Sequence, residues 1–279
     1  MINFSVRKYL IILNLLFIYV FFNMNTSVAR DMYPGQVVYG QIGKFGLDTT
    51  IKLPEGEWLV AGTASKNGTI RPEEIILMQI EDKKIKAILF IRYARDIGLT
   101  QGWDAVTGWR PEETYKNNTC DDYDDQKSNY HYEKINKKSQ QLIVNGACMA
   151  VYVDNDIYNV SELSLDNSIQ ETYDMAEQFV KNNNLEYPNA LIFIDNTYFS
   201  KKNYVQTYFA INPEFKGIKS SSQVFFTNSD WHKYNIDSYP DKKRLMDEYI
   251  FIGQQVFNDN RKKFDKGKAL DFYGYNALF

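Results

Sequence analysis

Residues 73 to 95 read EEIILMQIEDKKIKAILFIRYAR and decide the fold class. Two runs rich in Ile and Leu stand on either side of a short charged segment that begins at Asp82. Runs of this composition are typical of β-strands, and a charged break between two such runs is typical of a tight turn. The stretch therefore predicts an antiparallel hairpin.

The same pattern extends outward in both directions. Residues 36 to 72 contain further Val-, Ile- and Trp-rich runs, separated by turn signals at Gly46, Pro54 and Asn67-Gly68. Towards the C-terminus, QQLIVNGACMAVYVD (140–154) returns to a strand, and residues 189–215 predict a second hairpin that turns at residues 200–203. The body of the chain is therefore mainly strand.

Two segments have the spacing of helices instead. In residues 167–183, apolar side chains recur at Ile169, Tyr173, Ala176 and Val180, and Asn167 or Ser168 can cap the start. In residues 239–265, Pro240 lies in the first turn, and Ser238 stands three residues before Asp241. Apolar residues fall close to one face of this second helix, at Leu245, Tyr249, Ile252, Val256 and Phe264.

Locally paired strands with two separate helices predict an α+β fold, in which a mainly antiparallel β-sheet carries both helices on one face. The strand–helix–strand alternation of a doubly wound fold is missing from the sequence. We expect a single domain over residues 30–279, with a long loop around residues 96–139.

The first 29 residues have the layout of a secretory signal peptide. Arg7 and Lys8 precede an apolar run over residues 9–22, and Ser27 and Ala29 provide a small-residue cleavage site. A membrane-spanning helix needs about 20 apolar residues, and this run is shorter. We therefore expect export to the periplasm or the extracellular space, with no membrane span after cleavage, although retention as an anchor stays an alternative.

Cys120 and Cys148 are the two cysteines of the chain. An even count in an exported protein predicts a disulfide between them, which would hold the long loop against the strand that carries Cys148. Closing a loop of this length stabilises a fold by about 3–4 kcal/mol in the chain-entropy model. A catalytic thiol is the alternative, and it requires one cysteine to stay reduced.

An acidic segment beside Cys120 has the ligand types of a calcium loop. Asp122, Asp124 and Glu133 take positions 1, 3 and 12 of the calcium-binding pattern. However, Lys127 occupies the position where a sharp turn needs glycine, and its charge opposes a cation. We therefore expect a solvated acidic loop and no metal site.

Two histidines limit the catalytic chemistry. With only His131 and His232, zinc sites built on three histidines are excluded. His232 lies beside Ser229 and Asp230, so an envelope-polymer hydrolase with His232 as base and Asp230 as its orienting group is a hypothesis. Neighbours in sequence rarely converge as a triad, and hydrogen bonding within a turn explains these residues equally well.

The last residues alternate as Tyr273, Tyr275, Ala277 and Phe279. This pattern resembles the aromatic-ended last strand of bacterial outer-membrane barrels over about eight residues, which implies an outer-membrane-associated β protein as a further alternative. The barrel needs many alternating segments, and the helices and the long polar loop leave little room for them. An ordered tail or an edge strand is the reading we favour.

The functional expectation follows from these observations. The net charge of −3 argues against a nucleic-acid partner, and the chain has neither a dinucleotide fingerprint nor a phosphate-binding loop, so no cofactor is expected. The frequent Asn, Lys, Ile and Tyr are typical of AT-rich bacterial genomes. We predict an exported, non-catalytic binding or scaffold protein of the bacterial cell envelope or extracellular space, with an envelope protein or polymer as partner. The sequence does not set the oligomeric state.

Overall fold

A computed structural model of the chain describes residues 32–43, 50–65, 70–96, 130–140, 143–154, 167–200, 203–219 and 228–279. Within these ranges an eight-stranded antiparallel sheet has the order β1-β4-β5-β6-β10-β9-β8-β7, and a small sheet has the order β11-β3-β2. The strands are β1 Val37–Val38, β2 Gln41–Ile42, β3 Ile51–Lys52, β4 Trp58–Ser65, β5 Ile70–Glu81, β6 Lys84–Asp96, β7 Tyr130–Gln140, β8 Ile143–Asp154, β9 Leu191–Phe199, β10 Asn203–Ile211 and β11 Leu270–Asp271. The helices are α1 Asn167–Asn182 and α2 Pro240–Phe264, with 3-10 turns at Pro213–Lys216, Ile236–Ser238 and Tyr273–Leu278.

The predicted hairpin at residues 73–95 is confirmed as β5 and β6. The two strands pair antiparallel from Glu81↔Lys84 outward. Asp82 and Lys83 both have positive φ, at 50° and 63°. A two-residue hairpin turn with both residues in this region matches the twist of the strands, which is why so short a connection suffices.

The α+β fold class is confirmed, but the expectation that both helices lie on one face is wrong. On the α1 face, Gly62 of β4 lies against the backbone of α1 at Thr172. On the α2 face, Gly253 of α2 lies against Met149 of β8 and Ile194 of β9. The two helices therefore cover opposite faces of the sheet.

The strand sequences explain this arrangement, because several strands are apolar on both faces. In β5, Ile75 and Leu77 join the core under α2, whereas Ile76 and Met78 join the core under α1. All nine residues of β9 are buried. A strand of this kind exposes a large apolar area unless both of its faces are covered.

The long loop ends earlier than the sequence predicts. Its last part, predicted within residues 96–139, forms β7, which pairs antiparallel with β8. β7 is a terminal strand in the described strand order, and a polar sequence such as YHYEKINKKSQ is typical of edge strands. Residues 97–129, which hold the rest of the predicted loop, lie outside the described residues.

The start of α2 and the C-terminus of the chain were also predicted only in part. Helix α2 begins at Pro240 as expected, but Ser238 belongs to the preceding 3-10 turn, and the N-cap residue is Tyr239, whose side chain makes no capping hydrogen bond. Of the two alternatives for the C-terminus, the structure has the ordered tail, because Tyr273–Leu278 form a 3-10 turn and not an edge strand. Tyr275 from this turn stacks on Phe209 of β10, with ring centroids 4.3 Å apart. Burial of these aromatic rings therefore decides the tail conformation.

Residues 1–29, the predicted signal peptide, lie outside the described residues. Within the part of the chain that the structure describes, neither helix is both long enough and apolar enough to cross a membrane.

Candidate functional site

The turn before α2 brings both histidines together with Asp230. His131 of β7 donates a hydrogen bond from Nε2 to the backbone carbonyl of Trp231, at 2.7 Å, since a carbonyl only accepts. His232 lies close enough to lower the pKa of His131 by charge repulsion, as do Lys243 and Lys233, after the larger effect of burial. The contact ties the edge strand β7 to the start of α2.

The hydrogen bonds in this turn give its polar groups structural roles. Ser229 Oγ accepts from the backbone N–H of Trp231 at 3.1 Å. Asp230 forms an ion pair with Lys242, whose ammonium lies 4.9 Å from the centre of the Trp231 ring. These bonds fold the turn onto the first residues of α2.

His232 does not have the geometry of a base in a serine triad. Its Nδ1 accepts a hydrogen bond from the backbone N–H of Tyr234 at 3.3 Å, so this atom carries no proton. An orienting carboxylate would need to accept a proton from that same atom. Catalysis by His232 or His131 stays an alternative to the predicted non-catalytic role, and the observed bonds favour a structural role for both.

We expect His131 to make the fold sensitive to mild acid. Burial lowers the pKa of His131 to about 4, from 6.5, so the unfolded chain binds a proton here that the folded chain excludes between these values. The free energy of unfolding therefore falls as the pH falls through this window, by about 1.4 kcal/mol per pH unit and about 3 kcal/mol in all. In urea titrations, the difference between wild type and His131→Gln should change by this amount between pH 6.5 and 4. A difference that is constant with pH would contradict the burial of a neutral His131.

The remaining sequence candidates are only partly described. Cys148 is buried on β8. Its predicted partner Cys120 lies outside the described residues, so the disulfide stays a prediction. Glu133 is exposed on β7, and the other two calcium candidates, Asp122 and Asp124, lie outside the described residues. The described ranges hold no group of three or more His, Cys, Asp or Glu side chains that could bind a metal ion.

A polar cluster that the sequence analysis did not single out lies in the middle of the sheet. Strand β9 reads LIFIDNTYF, so the tetrapeptide 195–198 (DNTY) interrupts an apolar run in a fully buried strand. Its partner β10 carries QTY at residues 206–208, directly opposite. The side chains alternate between the two faces, because successive residues of a strand point in opposite directions.

Five side chains of this cluster and its neighbours form one row across the α1 face. They are directly paired from strand to strand, and neighbouring strands are about 4.8 Å apart, so the row spans about 19 Å. From β5 to β8 its members are Glu74, Arg92, Gln206, Thr197 and Cys148. We call these five residues the polar row.

One end of the polar row is fully paired. Arg92 Nε donates to Glu74 Oε1 at 2.8 Å, and the side chain of Glu74 is 1% exposed. Thr172 of α1 donates from its hydroxyl to the second carboxylate oxygen at 3.1 Å. This ion pair is balanced in charge, and it fixes α1 to the sheet.

The centre of the cluster is not paired in this way. Asp195 stands beside the polar row, between Tyr208 of β10 and Ala150 of β8, and it is only 5% exposed. Asp195 Oδ1 and Thr197 Oγ1 are both buried without a hydrogen-bond partner in the part of the chain that the structure describes. Burial raises the pKa of Asp195 well above its usual range. A buried carboxyl of this kind is characteristic of functional sites.

Aromatic rings border Asp195 on the side away from the polar row. Tyr208 packs against Phe90 with ring centroids 5.4 Å apart, and Phe90 stacks on Tyr173 of α1 at 5.6 Å. Phe193, two residues before Asp195, stacks on Tyr152 at 5.1 Å. A buried acid thus lies at the boundary between polar and aromatic surface.

The sequence held a signal for this cluster. Four successive residues with polar side-chain atoms in a strand that is otherwise Leu, Ile and Phe predict buried polar groups, provided that the strand is central. The position of β9 within the sheet, between β8 and β10, cannot be read from its own sequence.

Comparison with known proteins adds little. No family model matches the chain, and no curated protein matches it. Among solved structures it is similar to the C-terminal domain of Yurk from Bacillus subtilis subsp. subtilis str. 168, with 12% sequence identity and a TM-score of 0.22. This match covers 56% of the chain and 88% of the Yurk domain.

Proposed function

We propose that the chain is an exported, non-catalytic binding protein that holds a small polar ligand against the α1 face of the sheet, at Asp195 and Thr197. The observation that carries the proposal is the pair of buried polar atoms, Asp195 Oδ1 and Thr197 Oγ1, without partners among the described residues. Each such atom costs a fold about 1–3 kcal/mol. A ligand that hydrogen-bonds to both atoms offsets this cost.

The chemistry of the polar row supports binding over catalysis. The row contains no histidine, and its one carboxylate, Glu74, is already bound to Arg92 and Thr172. A nucleophile needs a base within hydrogen-bond reach, and Thr197 Oγ1 has no hydrogen-bond partner among the described residues, Asp195 included. Export rests on the predicted signal peptide.

The test is thermal unfolding in the presence of a panel of small polar compounds that includes sugars, amino acids, amines, carboxylates and nucleosides. A compound that binds the folded protein at ten times its Kd stabilises it by about 1.4 kcal/mol. We expect at least one class to raise the Tm of the wild type. Thr197→Val should lose this shift, since valine has the shape of threonine without its hydroxyl.

The matched control is Thr207→Val, the same substitution at a buried position of the neighbouring strand on the α2 face. This variant should keep the full shift. Thr197→Val alone should also be more stable than the wild type without ligand, by about 1 kcal/mol, because it removes an unpaired buried hydroxyl. A panel without any shift, or equal shifts in both variants, would refute the proposed site.

A further inference from the structure

We infer that the ligand carries a primary ammonium group, which Asp195 binds as a carboxylate, so that the site selects small organic amines. This inference rests on the proposed function and names its ligand class. Three features of the α1 face carry it: the charge balance, the donor and acceptor pattern, and the aromatic boundary.

On the α1 face, Asp195 is an acidic side chain without a cationic partner among the described residues. Glu74 and Arg92 neutralise each other at 2.8 Å, and Arg92 stands two strands from Thr197, about 10 Å away. Within the described ranges no Lys or Arg side chain forms an ion pair with Asp195. In its ionised form a carboxylate at this depth requires a cation, and because no described side chain provides one, an ammonium ligand would do so.

The pattern of acceptors suits an ammonium group. Asp195 and Thr197 are two residues apart on one strand, so their side chains leave the same face about 7 Å apart at their Cα atoms. An ammonium group has three donors and no acceptor, and it can bond to a carboxylate and a hydroxyl together. The two partnerless atoms, Asp195 Oδ1 and Thr197 Oγ1, are both able to accept.

The aromatic boundary provides the other half of an amine site. Aromatic faces attract cations, and Tyr208 lies directly across from Asp195 on β10. Phe90 and Phe193 belong to the apolar core of the α1 face, so the surroundings of Asp195 on this side are apolar. A carboxylate beside aromatic rings thus matches an amine with a short apolar tail.

Proton linkage gives the inference a distinctive signature. Burial raises the pKa of Asp195 and so favours its protonated form, and an amine that binds as a cation would displace this proton. Among the described residues, the titratable groups near Asp195 include Tyr208 of β10, Tyr152 of β8, Tyr173 of α1, Arg92 and Glu74 of the polar row, and Tyr198 and Tyr275 across the sheet. Of these, burial raises the pKa values of Tyr198 and Tyr275, so neither loses a proton near pH 7.

The experiment compares n-butylamine with n-butanol, which has the same chain and no charge. Isothermal titration of the full chain at pH 7, in two buffers of different ionisation enthalpy, measures affinity and proton release together. We expect n-butylamine to bind, with release of close to one proton, and n-butanol to bind at least tenfold more weakly. Asp195→Asn should lose at least tenfold in amine affinity, Thr197→Val should weaken amine binding, and Thr207→Val should bind as the wild type does.

Each other result overturns the inference in a recognisable way. Equal binding of the alcohol means that the site takes neutral ligands. Amine binding without proton release means that Asp195 is already ionised in the free protein, which overturns the proton linkage. In both cases the proposed function stands. The same holds if neither probe binds while another class of the panel shifts the Tm of the wild type through Thr197. If no compound of the panel binds, the inference and the proposed function fail together.

Discussion

Gly62→Ala should destabilise the protein by about 3 kcal/mol, because it forces α1 away from the sheet. A Cβ atom at Gly62 would lie 2.2 Å from the backbone carbonyl oxygen of Thr172 and 3.3 Å from the backbone nitrogen of Ala176. Neither atom belongs to a flexible side chain, so the helix as a whole has to move. Urea titration of both proteins measures the loss in the free energy of unfolding.

Gly253→Ala is the matched control for this prediction. A Cβ atom at Gly253 would also be too close to a neighbour, at 2.5 Å, but that neighbour is the terminal methyl group of Met149, which can rotate away. Alanine also favours the helix over glycine by about 1 kcal/mol. We expect Gly253→Ala to be close to the wild type in stability. Equal effects of the two substitutions would contradict the close backbone contact between β4 and α1.

The second prediction with a large effect is that Asp195→Asn changes how the free energy of unfolding depends on pH. Burial raises the pKa of Asp195, so the folded protein keeps a proton that the unfolded chain releases once the pH passes its ordinary pKa of about 3.9. The free energy of unfolding then falls by about 1.4 kcal/mol for each pH unit, until the pKa of the folded state is reached. Asp195→Asn removes this loss, and the variant should become more stable than the wild type as the pH rises.

The measurement is the stability difference between Asp195→Asn and the wild type at a series of pH values. The series runs from about pH 7.5 to 8.5, where His131 is almost entirely neutral in both the folded and the unfolded chain, and its slope also cancels because both proteins contain it. A difference that grows with pH in this range agrees with a buried neutral acid. A difference that stays constant would mean that Asp195 is ionised in the folded state.

Much of the fold could be predicted from local patterns. Both hairpins and both helices follow from alternation, turn residues and helical spacing, and all four are present. The 25-residue α2 lies within one residue of its expected bounds at each end. Such features depend on neighbours in sequence, which is why one sequence suffices for them.

Features that depend on distant parts of the chain were missed. The edge strand β7 has a polar sequence that is typical of a loop, and it is a strand because β8 lies beside it. The helices cover opposite faces because strands such as β9 are buried on both sides, and burial of a strand on both sides is a property of the assembled sheet.

The candidate site was missed for the same reason. Asp195, Thr197 and Gln206 come together through the pairing of β9 with β10, and Glu74 and Arg92 come from a separate hairpin. The sequence pointed instead to His232 and Asp230, which lie together in a turn where backbone N–H groups and Lys242 occupy their polar atoms. Side chains that are adjacent in sequence proved less informative than side chains that a sheet aligns.

The central claim is that Asp195 is a buried, neutral acid until a ligand provides a positive charge. Infrared difference spectroscopy at pH 7 tests it directly, with the carbonyl band of Asp195 assigned by comparison with Asp195→Asn. We predict a carboxylic acid band in the free protein, replaced by a carboxylate band when n-butylamine is added. A carboxylate band in the free protein would contradict the account, because it would show that the chain already provides the cation.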